Sequence, residues 1–255
     1  MFKRCTIFLY GVASYGVFFG TFLYALGFVG NFATPTALDG TPRLPLVTGL
    51  LVDLGLLGLF ALQHSIMARP AFKRWLTRFV PETAERSTYV LASSLALIAM
   101  FALWQPLGGE VWTVGDAAAR GAIWGAFAFG WLLVLVSTFV INHFDLFGLR
   151  QVWLQLIGRK YTQLPFGTPW LYRYVRHPLY VGWFFAFWAT PTMTVSHLVF
   201  ALMASAYILV AIQFEERDLV AHFGDQYRDY RERVPMLIPG SRRQSDRRRV
   251  VRAWP

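Results

Sequence analysis

Over 255 residues, 56% are hydrophobic, 17% are aromatic and the mean hydropathy is +0.43, which excludes an ordinary soluble domain and marks an integral membrane protein. The net charge of +10 would suit a nucleic-acid partner in a soluble chain, but these cations flank apolar runs, so the charge reads as membrane topology and implies no nucleic acid. The single cysteine, Cys5, excludes an intramolecular disulfide and any multi-cysteine metal site.

Five apolar regions are long enough to cross ~30 Å of hydrocarbon, for which a helix needs about 20 residues: 6–29, 46–67, 87–104, 121–141 and 179–213. The first follows Lys3 and Arg4; it is too long for a signal peptide, lacks a small-residue cleavage site and is expected to stay as a helix. The second carries Asp53 in its depth, read as a paired structural carboxylate, and ends on Gln63-His64-Ser65 before Arg69, Lys73, Arg74, Arg78 and Arg86. The third begins with Ser87 and Tyr89. The fourth ends on Asn142-His143-Phe144-Asp145, ahead of Arg150, Arg159, Lys160, Arg173 and Arg176. The last, 179–213, is too long for one span and contains Thr190-Pro191-Thr192, so it is expected to form a helical hairpin turning at Pro191.

The expectation is an all-α integral membrane protein of about six transmembrane helices (five to six), the last two a hairpin, with a cytosolic C-terminal cofactor-binding segment. It reads as one domain over 1–240: helices 1–4 with a substrate pocket over 1–150, and the cofactor-binding hairpin and C-terminal helix over 170–240. Residues 241–255 form a basic mobile tail whose six arginines anchor topology and attract anionic lipids. Cations concentrate on alternate connections, which places both termini in the cytoplasm of a bacterial inner membrane.

This topology gathers titratable groups at one membrane depth. His64, His143, His177 and His222 fall at the cytoplasmic end with Asn142, Asp145, Glu215 and Glu216; His197 falls near the opposite face. Ionisable residues at such positions point to function. A zinc or iron site is one reading, but no His-x-x-x-His or Glu-x-x-His pair shares a helical face, so no metal is expected. Gly-x-Gly-x-x-Gly and P-loop sequences are absent, leaving helix ends and side chains to hold any nucleotide-like cofactor. Pro178 suits a first helical turn, and the N–H groups beside His177 favour a carboxylate. Glu215 and Glu216 can hold a cation or ribose hydroxyls, while Tyr180, Trp183, Phe184 and Phe223 offer flat surface to an adenine or a sulfonium. S-adenosylmethionine combines those groups. An interfacial aromatic belt with solvated carboxylates fits the same residues.

The run Arg176-His177-Pro178-Leu179-Tyr180-Val181-Gly182, followed by Glu215-Glu216, Phe223-Gly224, Tyr227, Tyr230, Val234-Pro235 and Ile238-Pro239, resembles the isoprenylcysteine carboxyl methyltransferase superfamily. That resemblance implies S-adenosylmethionine as methyl donor, with His177, Leu179, Tyr180, Glu215 and Glu216 as cofactor contacts and Arg176 and His222 beside them. Gln63-His64-Ser65, Met67-Ala68-Arg69-Pro70, Glu85-Arg86-Ser87, Tyr89 and the run from Ile141 to Gln151 are similar to bacterial methanethiol S-methyltransferases. This second resemblance implies methylation of a small thiol, methanethiol, to dimethyl sulfide. A thiol must ionise before it attacks. His143 is the first candidate base, oriented by Asp145 or Asn142; His64 is the second, with Arg86 and Tyr89 lining the pocket. A lipid or prenyl substrate remains an alternative, as does a non-catalytic membrane component that binds haem or quinone.

Overall fold

The computed structural model describes residues 1–240. In chain order it contains helices α1 (Phe2–Gly30), α2 (Leu46–Ala68), α3 (Pro70–Leu76) and α4 (Glu82–Leu103), then strand β1 (Glu110–Thr113). Helices α5 (Ala117–Ile141), α6 (His143–Leu146) and α7 (Leu149–Leu156) follow, then a short 3-10 turn (Trp170–Arg173) and α8 (Pro178–Trp188). Strand β2 (Thr192–Thr194) leads into α9 (Val195–Phe223) and α10 (Asp225–Arg233). The basic tail expected over 241–255, with its attraction to anionic lipids, lies outside the described residues.

Five helices, α1, α2, α4, α5 and α9, are long and apolar enough to cross a membrane by length and composition. Their outward faces are apolar too: Leu51, Leu59 and Leu62 of α2 are all exposed, as a helix meeting lipid rather than water requires. Inside, aromatic rings fill the bundle, with Phe28, Phe101, Trp104, Phe127, Trp131 and Phe200 buried together. Polar N-caps start two of the spans: Asp116 accepts from the Ala119 N–H (2.8 Å) and Thr194 from the His197 N–H (3.1 Å).

Of the six expected helices, the fifth is too short to cross alone. α8 has 11 residues, about 16 Å of rise, well short of the ~30 Å a span needs. The chain continues instead in extended form, rising about 3.3 Å per residue, and β2 pairs antiparallel with β1 at Glu110–Thr194, Trp112–Met193 and Thr113–Thr192. The hairpin expected to turn at Pro191 is therefore a short helix plus a strand on one side and the long α9 on the other. α8 is held mainly by α5, backbone to backbone. A Cβ added at Gly130 would meet Ala186 N at 2.6 Å and Gly182 O at 2.8 Å, and one added at Gly182 would meet Gly130 O at 2.8 Å. Only glycine at both positions permits that approach.

α9, at 29 residues and about 43 Å, outruns a bilayer, so its last turns reach beyond the hydrocarbon. α10 and the segment after it fold back: Arg176 N–H donates to Pro235 O (2.9 Å) and His177 N–H to Met236 O (3.2 Å). Tyr227 and Tyr230 are buried beside Phe166 and Phe223. Burial pushes the Tyr230 phenol up to about 12, and its hydroxyl donates to Tyr172 O at 2.6 Å.

Candidate active site

The start of α8 and the end of α9 meet in a buried ionic cluster. Glu216 Oε1 accepts from Arg176 Nε (2.7 Å) and lies 3.0 Å from His177 Nε2. All three side chains are at least nine-tenths buried. A carboxylate only accepts, so the His177 proton sits on Nε2, leaving Nδ1 towards Glu215, 3.9 Å away. Arg176 also donates to Val234 O (2.6 Å) and Arg231 O (3.1 Å), which ties the segment after α10 to the head of α8. Such a pair contributes fixed geometry more than stability, because its desolvation offsets its attraction. Glu215, the next residue, is different: its side chain is 44% exposed and accepts from the Tyr180 hydroxyl at 2.8 Å. The head of α8 has no side-chain cap, with Pro178 at its first position and half-buried Leu179 beside it.

A second polar cluster lies where α2, α4 and α9 meet. The Tyr89 hydroxyl is 2.8 Å from His64 Nε2, and Ser93 Oγ is 3.1 Å from His64 Nδ1. Phe60 stacks on the imidazole at 5.2 Å, and Tyr207 of α9 stands edge-on to it while bonding Ser65 Oγ at 3.1 Å. Gln63 donates to Met67 Sδ (3.0 Å), and its own buried Oε1 has no partner among the described residues. α9 carries both Tyr207, edge-on to His64, and Glu215, bonded to Tyr180, so one helix borders both clusters. Arg69 at the foot of α2 pairs with Asp218 of α9 (3.0 Å), closing the same seam.

The structure gives His143 a different setting. Its Nε2 is 2.8 Å from the Tyr15 hydroxyl, its Nδ1 is 2.8 Å from Thr138 Oγ1, and the ring is stacked on Phe139 at 4.2 Å. It is 3% exposed, and burial pushes its pKa below the ordinary histidine value. The expected orienting residues bond elsewhere. Asn142 caps α6 by accepting from the Asp145 N–H (3.1 Å), and Asp145 pairs with Arg150 (2.8 Å) and accepts from the Tyr161 hydroxyl (3.3 Å). His222 is exposed and stands edge-on to Phe223. Arg86 lines a polar cavity at the start of α4. His197 is at the far end, bonded to Phe187 O at 2.8 Å. Among the described residues no group of three or more His, Cys, Asp or Glu side chains is placed to hold a metal ion. Tyr207 and Ser93 escaped the sequence reading. Their one signal is a hydroxyl inside an otherwise apolar span.

A helical membrane bundle with a buried ionic cluster beside a half-exposed carboxylate has the plan of a membrane-embedded enzyme. The chain is 57% identical to the methanethiol S-methyltransferase of Crocosphaera subtropica over 93% of each chain. It is 54% identical to that of Mycobacterium tuberculosis over 93% of this chain and 97% of the relative, and 52% identical to methanethiol S-methyltransferase 2 of Bradyrhizobium diazoefficiens over 99% and 98%. The chain belongs to the methanethiol S-methyltransferase family. Neither a protein-family model nor a solved structure matches it.

Proposed function

We propose that this protein transfers a methyl group from S-adenosylmethionine to methanethiol, releasing dimethyl sulfide, at the cytoplasmic face of a bacterial membrane with both termini on that side. The observation that carries the reading is the adjacency of two unlike clusters. One is ionic and fixed, with a carboxylate open beside it; the other is an imidazole enclosed by hydroxyls and rings.

The residues at the head of α8 fit the methyl donor. Beside His177 the Leu179 N–H is the one left for its carboxylate, since Pro178 has none and the Tyr180 and Val181 N–H groups bond His177 O. Glu215 has a carboxylate free to accept from ribose hydroxyls or an ammonium, and Tyr180, Trp183 and Phe184 offer ring faces. Glu216 and Arg176 hold these groups in place rather than meeting the ligand, since each is taken up by the other. When bound, S-adenosylmethionine supplies its methyl group to the thiolate sulfur, the old C–S bond breaking with its electron pair kept on the departing thioether.

The thiol proton goes to His64. Ser93 Oγ accepts from Nδ1–H, which leaves Nε2 as the basic nitrogen, and the Tyr89 hydroxyl donates to it. Tyr89 therefore stands between base and substrate. It passes its own proton to Nε2 as it takes the proton of the thiol. Phe60, Met67 and Tyr207 surround this point with apolar surface, which suits a substrate with one methyl group and no polar handle. His143, with both nitrogens engaged away from this cluster, serves as a packing residue between α1, α5 and α6.

Headspace gas chromatography of purified protein in detergent with methanethiol and S-adenosylmethionine tests the reading. His64→Ala should lose about 10²–10⁴-fold in dimethyl sulfide formation, the usual contribution of a general base, while calorimetry shows S-adenosylmethionine still bound. Undiminished product from His64→Ala, with loss on His143→Ala, would overturn the choice of base. No product and no cofactor binding in the wild type would overturn the function.

A further inference from the structure

A cavity of about 660 Å³ opens at the end of the bundle where α1 and α4 begin, walled on its other side by α7 and the segment to Gln163. It shares no lining residue with the His64 or Glu216 clusters. Arg4, Arg86, Arg159 and Lys160 line it, against two carboxylates, Glu82 and Glu85, and none of these six forms a salt bridge among the described residues. α4 begins there without a side-chain cap, so its N-terminal N–H groups add positive potential.

A second observation points to a ligand. Gln151 lines the same cavity and is 7% exposed; its Nε2 donates to Asp145 O at 3.1 Å, while its buried Oε1 accepts from nothing among the described residues. Thr83 Oγ1, also in the lining, is buried and has no partner among the described residues. Buried acceptors without donors are unusual, and a hydroxyl of a bound molecule would satisfy both. The wall that carries Gln151 is pre-formed. Arg150 bridges Asp145 (2.8 Å) to Thr162 O (2.9 Å), and Gly158, at φ 75°, lets the Arg4 guanidinium approach where a side chain would meet it.

We propose that this cavity binds a net-anionic phosphate ester that carries free hydroxyls, its phosphate among the four cations and its hydroxyls on Gln151 Oε1 and Thr83. The excess of cations over carboxylates favours such a ligand over a zwitterion. The cavity also lies at the depth of phospholipid headgroups, because Arg4 and Glu82 are among the first residues of two candidate spans. The same chemistry is carried by phosphatidylglycerol in the membrane and by glycerol 3-phosphate in solution.

The test uses the full chain in a phospholipid-free detergent. Native mass spectrometry and thermal unfolding are recorded with phosphatidylglycerol, phosphatidylmethanol (same charge, no hydroxyls), phosphatidylethanolamine and glycerol 3-phosphate. Wild type should retain phosphatidylglycerol in preference to the other two lipids. R159Q/K160Q, at exposed positions, should weaken it by about tenfold or more for each charge-assisted bond lost. Gln151→Leu should erase the preference over phosphatidylmethanol. Glycerol 3-phosphate binding as tightly as the lipid identifies a soluble ligand; binding of the lipid alone identifies a headgroup. Equal retention of all three lipids by wild type, or unchanged phosphatidylglycerol binding by a folded R159Q/K160Q, would overturn the proposal.

Discussion

Glu216→Gln removes one charge from a buried cluster and leaves its shape nearly unchanged. The Arg176 guanidinium, 2.7 Å from Glu216 and buried with it, is then an uncompensated cation. Breaking one side of a buried pair costs about 3–5 kcal/mol. Arg176 keeps its bonds to Val234 O and Arg231 O, so the lower end of that range, about 3 kcal/mol, is expected here. The strain falls on the backbone bonds that join 176–177 to Pro235 and Met236, which position α10 over the head of α8. About 3 kcal/mol should appear as a lower unfolding midpoint, and S-adenosylmethionine binding by calorimetry should weaken because the head of α8 is no longer held in place. The double variant Arg176→Met/Glu216→Leu isolates the cause. Replacing the whole pair with apolar groups should restore much of the stability but not the binding. A Glu216→Gln protein that unfolds and binds like wild type would refute the reasoning, since it would show the cluster to be dispensable.

Tyr89→Phe should cut turnover about 100-fold with S-adenosylmethionine affinity unchanged, because it removes the hydroxyl over His64 Nε2 and nothing at Glu215; headspace chromatography beside calorimetry reads both. Gly182→Val should cost about 1–3 kcal/mol or more, since its Cβ would strike backbone atoms of α5 at 2.8 Å, and the unfolding midpoint should drop accordingly. Burial holds His143 below its ordinary value of 6.5, so the folded state favours the neutral ring. The associated stability is complete above about 6.5 and is lost as pH falls through that value towards the folded one. Unfolding midpoints from pH 8 to 5 should therefore fall more steeply for wild type than for His143→Gln, and parallel curves would refute it.

The spans were legible because a bilayer demands length and continuous apolarity, and both are written along the chain at α1, α2, α4, α5 and α9. The shortness of α8 was visible as well, in the proline at 191, yet its completion by a strand was not. β2 needs β1 as a partner, and the two are about eighty residues apart. The partners of the two histidines were hidden for a similar reason. His64 and His143 look alike in sequence, each closing an apolar span. What separates them is who bonds their ring nitrogens: Tyr15 lies 128 residues before His143, while Tyr89 and Ser93 lie on the helix beside His64. The motif around Arg176 treats the two glutamates alike, and only the fold distinguishes Glu216, locked in an ion pair, from Glu215, open to its surroundings.

Tyr207 and Glu215 stand on one unbroken helix, α9, eight residues and about 12 Å apart along its axis. The side of the site proposed to hold the thiol and the side proposed to hold the donor are thus ruled off on a single rigid rod. Their spacing cannot breathe with loop motion, and one inserted residue between them would turn one mark by about 100° against the other. Substrate size is then a matter of measured length as much as of pocket shape: a longer thiol has no hinge here to make room for it.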